Sequence, residues 1–265
     1  MPDTQPAISC HTLDGIHPLS YFLFKPPGGI QDGRVLVSVH GISRNAREHV
    51  ELFSPLAEQT GTAIIAPLFP EADFPRYQRL GTNAHEERAD LAFDQILKAA
   101  VADLGVDPFP LRLFGFSGGG QFSHRYALLY PGRVRSMVLG APGWYTFPDT
   151  AEHFPYGLRN GPDWPKIRLT LEPFLQIPTL VMVGEQDNIR DDDMNCARRI
   201  DARQGVNRFE RGERWVQVMN SHARAYGFLP GFRFESVPNA SHAFESYVAH
   251  PHFCRRVFEY LFAEN

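Results

Sequence analysis

The chain has 265 residues, 43% hydrophobic and 21% charged, with a formal net charge of −4. A chain of this length buries roughly three quarters of the surface it exposes when unfolded, so a core forms without staples. The mild acidic balance excludes the basic footprint of a nucleic-acid or anionic-membrane binder.

No stretch approaches the roughly 18 consecutive apolar residues of a membrane span. Cys10, Cys196 and Cys254 are far apart and form no C-x-x-C pair, so neither a disulfide framework nor a zinc cage is indicated. Three reduced thiols in a cytoplasmic protein are the expectation. Residues 1–12 carry no basic start and no apolar run, so no secretory signal is expected there.

The first buried-strand pattern is Val35–Val39, which runs into His40-Gly41. A second, at 63–66, is closed by Pro67. A helix is expected over 86–104, with Ala89, Phe93, Ile96, Leu97, Ala100 and Leu104 at helical spacing and Gly105 as its C-cap. The third strand is 111–114, followed by a helix over 121–129; the fourth strand is 136–139. From 143 to 178 the rhythm breaks. Six prolines alternate there with aromatic residues, among them Trp144, Tyr145, Phe147 and Tyr156. Long connections of this kind serve as functional loops or lids, so 143–178 is expected to be a cap insert within one domain spanning 1–265. The fifth strand is 180–183, a helical pattern fills 207–226, the last strand is Phe232–Val237, and a final helix follows Pro251. Short apolar strands alternating with longer helical patterns predict an α/β fold with a mostly parallel sheet covered on both faces.

The third strand ends in Gly115-Phe116-Ser117-Gly118-Gly119 and passes directly into a helix. This is G-x-S-x-G in strand–turn–helix context, which marks a nucleophile elbow. A serine presented on so sharp a turn needs small neighbours two positions away on either side, and glycine at 115 and 119 supplies them. The helix that follows aims its N-terminus at the serine, where developing negative charge is favoured. No phosphate-loop lysine follows, and the glycines do not fit G-x-G-x-x-G.

Serine needs a base to take its proton and a third group to orient that base. In this architecture the order is Ser, then Asp or Glu, then His. Asp187 lies just past the fifth strand in Gly184-Glu185-Gln186-Asp187, with Glu185 and Asp191 to Asp193 as competitors. His242 lies just past the last strand in Ser241-His242, the only one of the 11 histidines so placed. His250 and His252 have no further ligands nearby, so no metal site is expected. For the oxyanion, the Gly118 amide is one expected donor. The Ile42 amide, after the first strand, is the other, with Ser43 as its alternative.

His40-Gly41, the 115–119 elbow, Gly184 to Asp187 and Ser241-His242 together resemble the landmarks of the α/β-hydrolase superfamily. Gly120-Gln121, Tyr130-Pro131 and Arg133-Val134 place the resemblance near small esterases of the polyhydroxyalkanoate depolymerase and dienelactone-hydrolase-like group. Dienelactone hydrolases proper use cysteine where this chain has Ser117, and dehalogenases and epoxide hydrolases use aspartate. The resemblance implies two-step transfer of an acyl group from an ester to water, with no cofactor. The partner is then a small or oligomeric ester; no nucleic acid or membrane is implied. Amide hydrolysis or acyl transfer by the same triad, and a receptor-like role with little turnover, stay open as alternatives. Trp144 and Tyr145 are candidate walls of an apolar substrate pocket, or packing for the cap. Arg44 is a candidate partner for a substrate carboxylate, or one half of a surface ion pair.

Overall fold

The computed structural model describes residues 8–15, 18–81, 88–161, 167–191 and 193–263. Eight strands form one sheet: β1 Ile8–Leu13, β2 Leu19–Phe24, β3 Val35–Val39, β4 Ala63–Leu68, β5 Leu111–Phe116, β6 Val134–Gly140, β7 Thr179–Gly184 and β8 Phe232–Val237. Their order is β1-β2-β4-β3-β5-β6-β7-β8. From β4 to β8 every pairing is parallel; β1 and β2 are antiparallel additions at one edge. All six expected strands are present, so the mostly parallel sheet holds. β1 and β2 are new. β1 is an edge strand whose Ser9, Cys10, His11 and Thr12 give no apolar run, so nothing in its composition announces it.

Burial follows position in the sheet. Every residue of β3 and β7 is buried, because helices cover both faces there. On one face lie α1 Ala46–Gln59 and α8 Phe253–Leu261; α2 Ala89–Leu104, α3 Gly118–Leu129 and α6 Arg208–Ala225 cover the other. Shorter helices α4 Leu171–Phe174, α5 Arg198–Gln204 and α7 Phe244–Val248 complete the chain. Helix α2 buries the expected stripe and ends on Gly105 at φ 71°, the left-handed C-cap predicted for it. Positions 86 and 87, the expected start of that helix, lie outside the described residues. In α6 the buried stripe is Trp215, Val216, Met219 and Ala223, whereas Tyr226, the last residue of the expected helical pattern, is exposed beyond the helix end.

The connection at 143–178 contains one short helix, α4, and a bridge between His153 and Arg159; residues 162–166 are outside the described set. It is held by buried cations. Arg125 donates to Thr146 Oγ1 at 3.1 Å, and Arg211 to the Gly143 carbonyl at 2.6 Å. Among the described residues no helix is long and apolar enough to cross a membrane, and no three His, Cys, Asp or Glu side chains converge to hold a metal.

Candidate active site

Four loops leave the carboxyl ends of β3, β5, β7 and β8, the edge at which open α/β sheets collect their ligands. At the end of β5, Ser117 adopts φ 50°, ψ −111°, a conformation an L-residue tolerates only when its surroundings hold it. The glycines explain how. A Cβ on Gly119 would stand 2.0 Å from the Val39 carbonyl oxygen, and one on Gly115 would stand 2.3 Å from that of Gly119. The elbow is thus pressed against the end of β3, and Ser117 N–H ties it to β6 by donating to the Gly140 carbonyl at 2.7 Å.

The loops after β7 and β8 are joined in the same way. Glycine at 184 lets β7 approach Ala240, whose carbonyl oxygen would lie 2.1 Å from a Cβ there. Glu185 N–H then donates to Val237, and Gln186 N–H to Ala240, each at 3.0 Å. This lacing sets Asp187 opposite His242. The Ser117 Oγ lies 3.0 Å from His242 Nε2, and His242 Nδ1 lies 2.7 Å from Asp187 Oδ2. The three residues picked from chain order therefore meet in one hydrogen-bonded line. Phe116 stacks under the imidazole at a 5.5 Å centroid distance and limits its rotation. Of the competing acids, Glu185 accepts from Ser236 at the surface, Asp191 pairs with Arg208, Asp193 lines the cavity, and Asp192 lies outside the described residues.

The expected oxyanion donors also come together. A Cβ on Gly118 would lie 3.4 Å from the Ile42 nitrogen. Gly118 opens α3, where the first amides have no partner within the helix. Ile42 N–H donates to no acceptor among the described residues. Ser43, the alternative, is exposed and turns its hydroxyl to Asn45.

His40 shapes this loop. Its Nδ1 lies 2.7 Å from the Gly41 carbonyl, while Nε2 accepts from the Phe69 amide at 3.0 Å. This fixes the tautomer as Nδ1–H, and burial pushes the ring's pKa down to about 3. Tyr77 caps the same turn by donating to the His40 carbonyl at 2.6 Å.

A cavity of about 280 Å³ opens over Ser117. Ile42, Phe116 and Phe244 supply its apolar wall, and Glu48, Asp193 and Glu245 its polar one. Burial pushes the Glu48 carboxyl up; the Asn45 amide opposes this, and the Glu245 carboxylate facing it adds to the rise.

The three expected substrate contacts are elsewhere. Trp144 is buried against Tyr156 and beneath the Arg125 guanidinium, 4.1 Å from its ring centroid. Tyr145 is wholly buried on Trp215, with its backbone N–H held by Gln204. Arg44 donates to the Phe69 and Phe74 carbonyls and lies over the Tyr77 ring. None of them lines the cavity. The two aromatic residues pack the 143–178 connection onto the body, and Arg44 braces the loop that carries Ile42. A separate cleft of about 310 Å³, walled by Tyr156, Arg203 and His222, shares no residue with the cavity over Ser117.

The alpha/beta hydrolase fold family matches residues 34–166, half of the chain, including the Ile42 loop and the elbow. The chain belongs to that family. Its fold is shared with poly(aspartic acid) hydrolase-1 from Sphingomonas sp. KT-1, at TM-score 0.80 and 24% identity over 96% of this chain and 100% of the other. A poly(3-hydroxybutyrate) depolymerase from Bordetella parapertussis superposes at TM-score 0.78 with 23% identity, covering 92% and 87%. A dienelactone hydrolase from Anabaena variabilis follows at 0.52, with 17% identity over 97% of each chain. No curated protein matches the sequence.

Proposed function

We propose that this α/β-hydrolase-fold protein is a serine esterase acting on uncharged carboxylic esters. The observation that carries the reading is the line Ser117 Oγ, His242, Asp187, with two backbone amides beside the serine and a cavity above it. His242 Nε2 takes the Ser117 proton as Oγ attacks the ester carbonyl, and the Ile42 and Gly118 amides receive the oxyanion. As the tetrahedral intermediate collapses, the alcohol leaves with the proton from His242. Water, deprotonated by the same nitrogen, then releases the acid. Asp187 holds the Nδ1–H tautomer and offsets the imidazolium charge.

The lining supports the choice of substrate charge. Three carboxyl side chains and no cation line this cavity among the described residues, so an anionic acyl group would meet like charge. The uncharged polyester in the name of one structural neighbour suits this lining; the polyanion in the name of the other does not.

The test is a rate comparison on p-nitrophenyl butyrate and the p-nitrophenyl half-ester of succinic acid. The neutral ester should be hydrolysed at least about tenfold faster in kcat/KM, as expected for roughly 1.4 kcal/mol of repulsion. Both rates should vanish in Ser117→Ala. Equal rates on the two esters would contradict the charge preference, and activity persisting in Ser117→Ala would contradict the mechanism.

A further inference from the structure

Behind Asp187 lies a second carboxylate and a buried cation that the acyl-transfer scheme does not use. Arg208 is the first residue of α6, and its side chain is only 1% exposed. Its Nη1 donates to Asp187 Oδ1 at 3.1 Å and to Asp191 Oδ2 at 2.6 Å, while Nη2 reaches Asp191 Oδ1 at 2.8 Å. Asp187 thus divides its oxygens, Oδ2 to His242 and Oδ1 to Arg208. A guanidinium on the triad acid has two opposed effects. It fixes the carboxylate plane through one oxygen, but its charge weakens the support that acid gives to the imidazolium. Asp191, held two-pronged on the outer side of the guanidinium, cancels that charge.

We propose that Arg208 and Asp191 form a charge-balanced clamp that positions the triad acid without reducing its support for protonated His242. Arg208 is a positioning residue, since it touches Asp187 and not the reacting atoms. Its own placement is local: Asn207 caps α6 by accepting from the Glu210 amide, which orients the first turn towards the loop after β7. The Asp191 carboxyl lies below its ordinary range because Arg208 donates to it, with a smaller contribution from the His242 charge. Asp191 therefore stays ionised across the range in which a triad histidine works.

The other charged and titratable groups facing His242 are Asp187 and Asp193 from the loop after β7, Glu245 and Tyr247 from α7, and Glu48 from α1. None of them is altered in the test. The proposal rests on the serine-hydrolase reading, so its readout is the rate of inactivation by a fluorophosphonate as a function of pH, which needs no ester substrate. The acid limb of that profile follows loss of the base at His242.

Asp191→Asn leaves the Arg208 charge unbalanced, which disfavours the imidazolium, so the acid limb should move down by about half a pH unit or more. Arg208→Gln removes the cation and leaves two carboxylates, so the limb should move up by a similar amount. The double variant restores the charge balance and should return the limb to its original position. Its maximal rate should stay roughly tenfold or more below wild type, because Asp187 is no longer clamped. Opposite shifts with restoration in the double variant support the clamp. Single variants that share a direction, or leave the limb within about 0.2 units, would overturn it. Should Arg208→Gln fail to fold, the downward shift in Asp191→Asn, at a partly exposed side chain, decides alone. A wild type that never reacts with the probe would instead remove the serine-hydrolase reading, and the clamp with it.

Discussion

At the scale of single residues, this site is made by backbone proximity as much as by side-chain chemistry. Gly119 admits the end of β3 so closely that a methyl group would overlap the Val39 carbonyl. Gly119→Ala should therefore cost about 2–3 kcal/mol and displace Ser117 and the Ile42 loop together. Thermal melts and the burst of acyl-enzyme formation would measure both effects; a variant with unchanged melting temperature and rate would show that the elbow can relax. Legibility in the sequence divides at this scale. Ser117, Asp187 and His242 were readable because the elbow is a contiguous pattern and the other two sit at fixed points after strands. Arg208 was not. It meets Asp187 across 21 positions and, in sequence, reads as one more polar residue at the start of an amphipathic helix. Trp144 and Tyr145 were misplaced because position after a strand does not fix side-chain direction; both turn into the body, towards Arg125 and Trp215.

At the scale of elements, the site depends on where helices begin. Helix α6 starts with Asn207 accepting from Glu210 N–H at 2.9 Å while Glu210 reaches back to the Asn207 amide group and the Val206 N–H. Removing this cap in Asn207→Ala should cost about 1 kcal/mol. Because Arg208 is the next residue, activity should fall further than that stability loss alone would produce. Comparing the drop in melting temperature with the drop in kcat at a temperature well below it separates the two; a change in stability with no change in kcat would mean that Arg208 keeps its place without the cap. The parallel strands from β3 to β7 were legible because burial on both faces requires continuous apolar runs. The edge strand β1 was not, since an edge strand needs only half its residues to be apolar; β2, paired on both sides, does carry an apolar run at Tyr21 to Phe24 that lies ahead of the first strand expected.

At the scale of the whole molecule, the core carries a built-in acid limit. His40, His49 and His124 are wholly buried, and desolvation by burial lowers the pKa of each, His40 to about 3 and the other two well below the usual value. Once unfolded, the same rings bind protons below about pH 6.5. The unfolded state then holds more protons than the folded one, so stability is fully present above that pH and is lost as pH falls. Three such groups give a slope of about 4 kcal/mol per pH unit below it. Melting temperature should drop steeply between pH 6.5 and 5, and His124→Gln should flatten the slope by about a third. A melting temperature independent of pH over that interval would show that the rings are protonated in the folded protein.

The central claim is that this fold gathers an activated serine at position 117. Intact-mass measurement after exposure to a fluorophosphonate tests it most directly, with wild type compared against Ser117→Ala and His242→Ala. The account predicts a single adduct on wild type, none on Ser117→Ala, and labelling slowed by several orders of magnitude in His242→Ala. A folded wild type that takes no adduct, or an adduct that persists in Ser117→Ala, would contradict it.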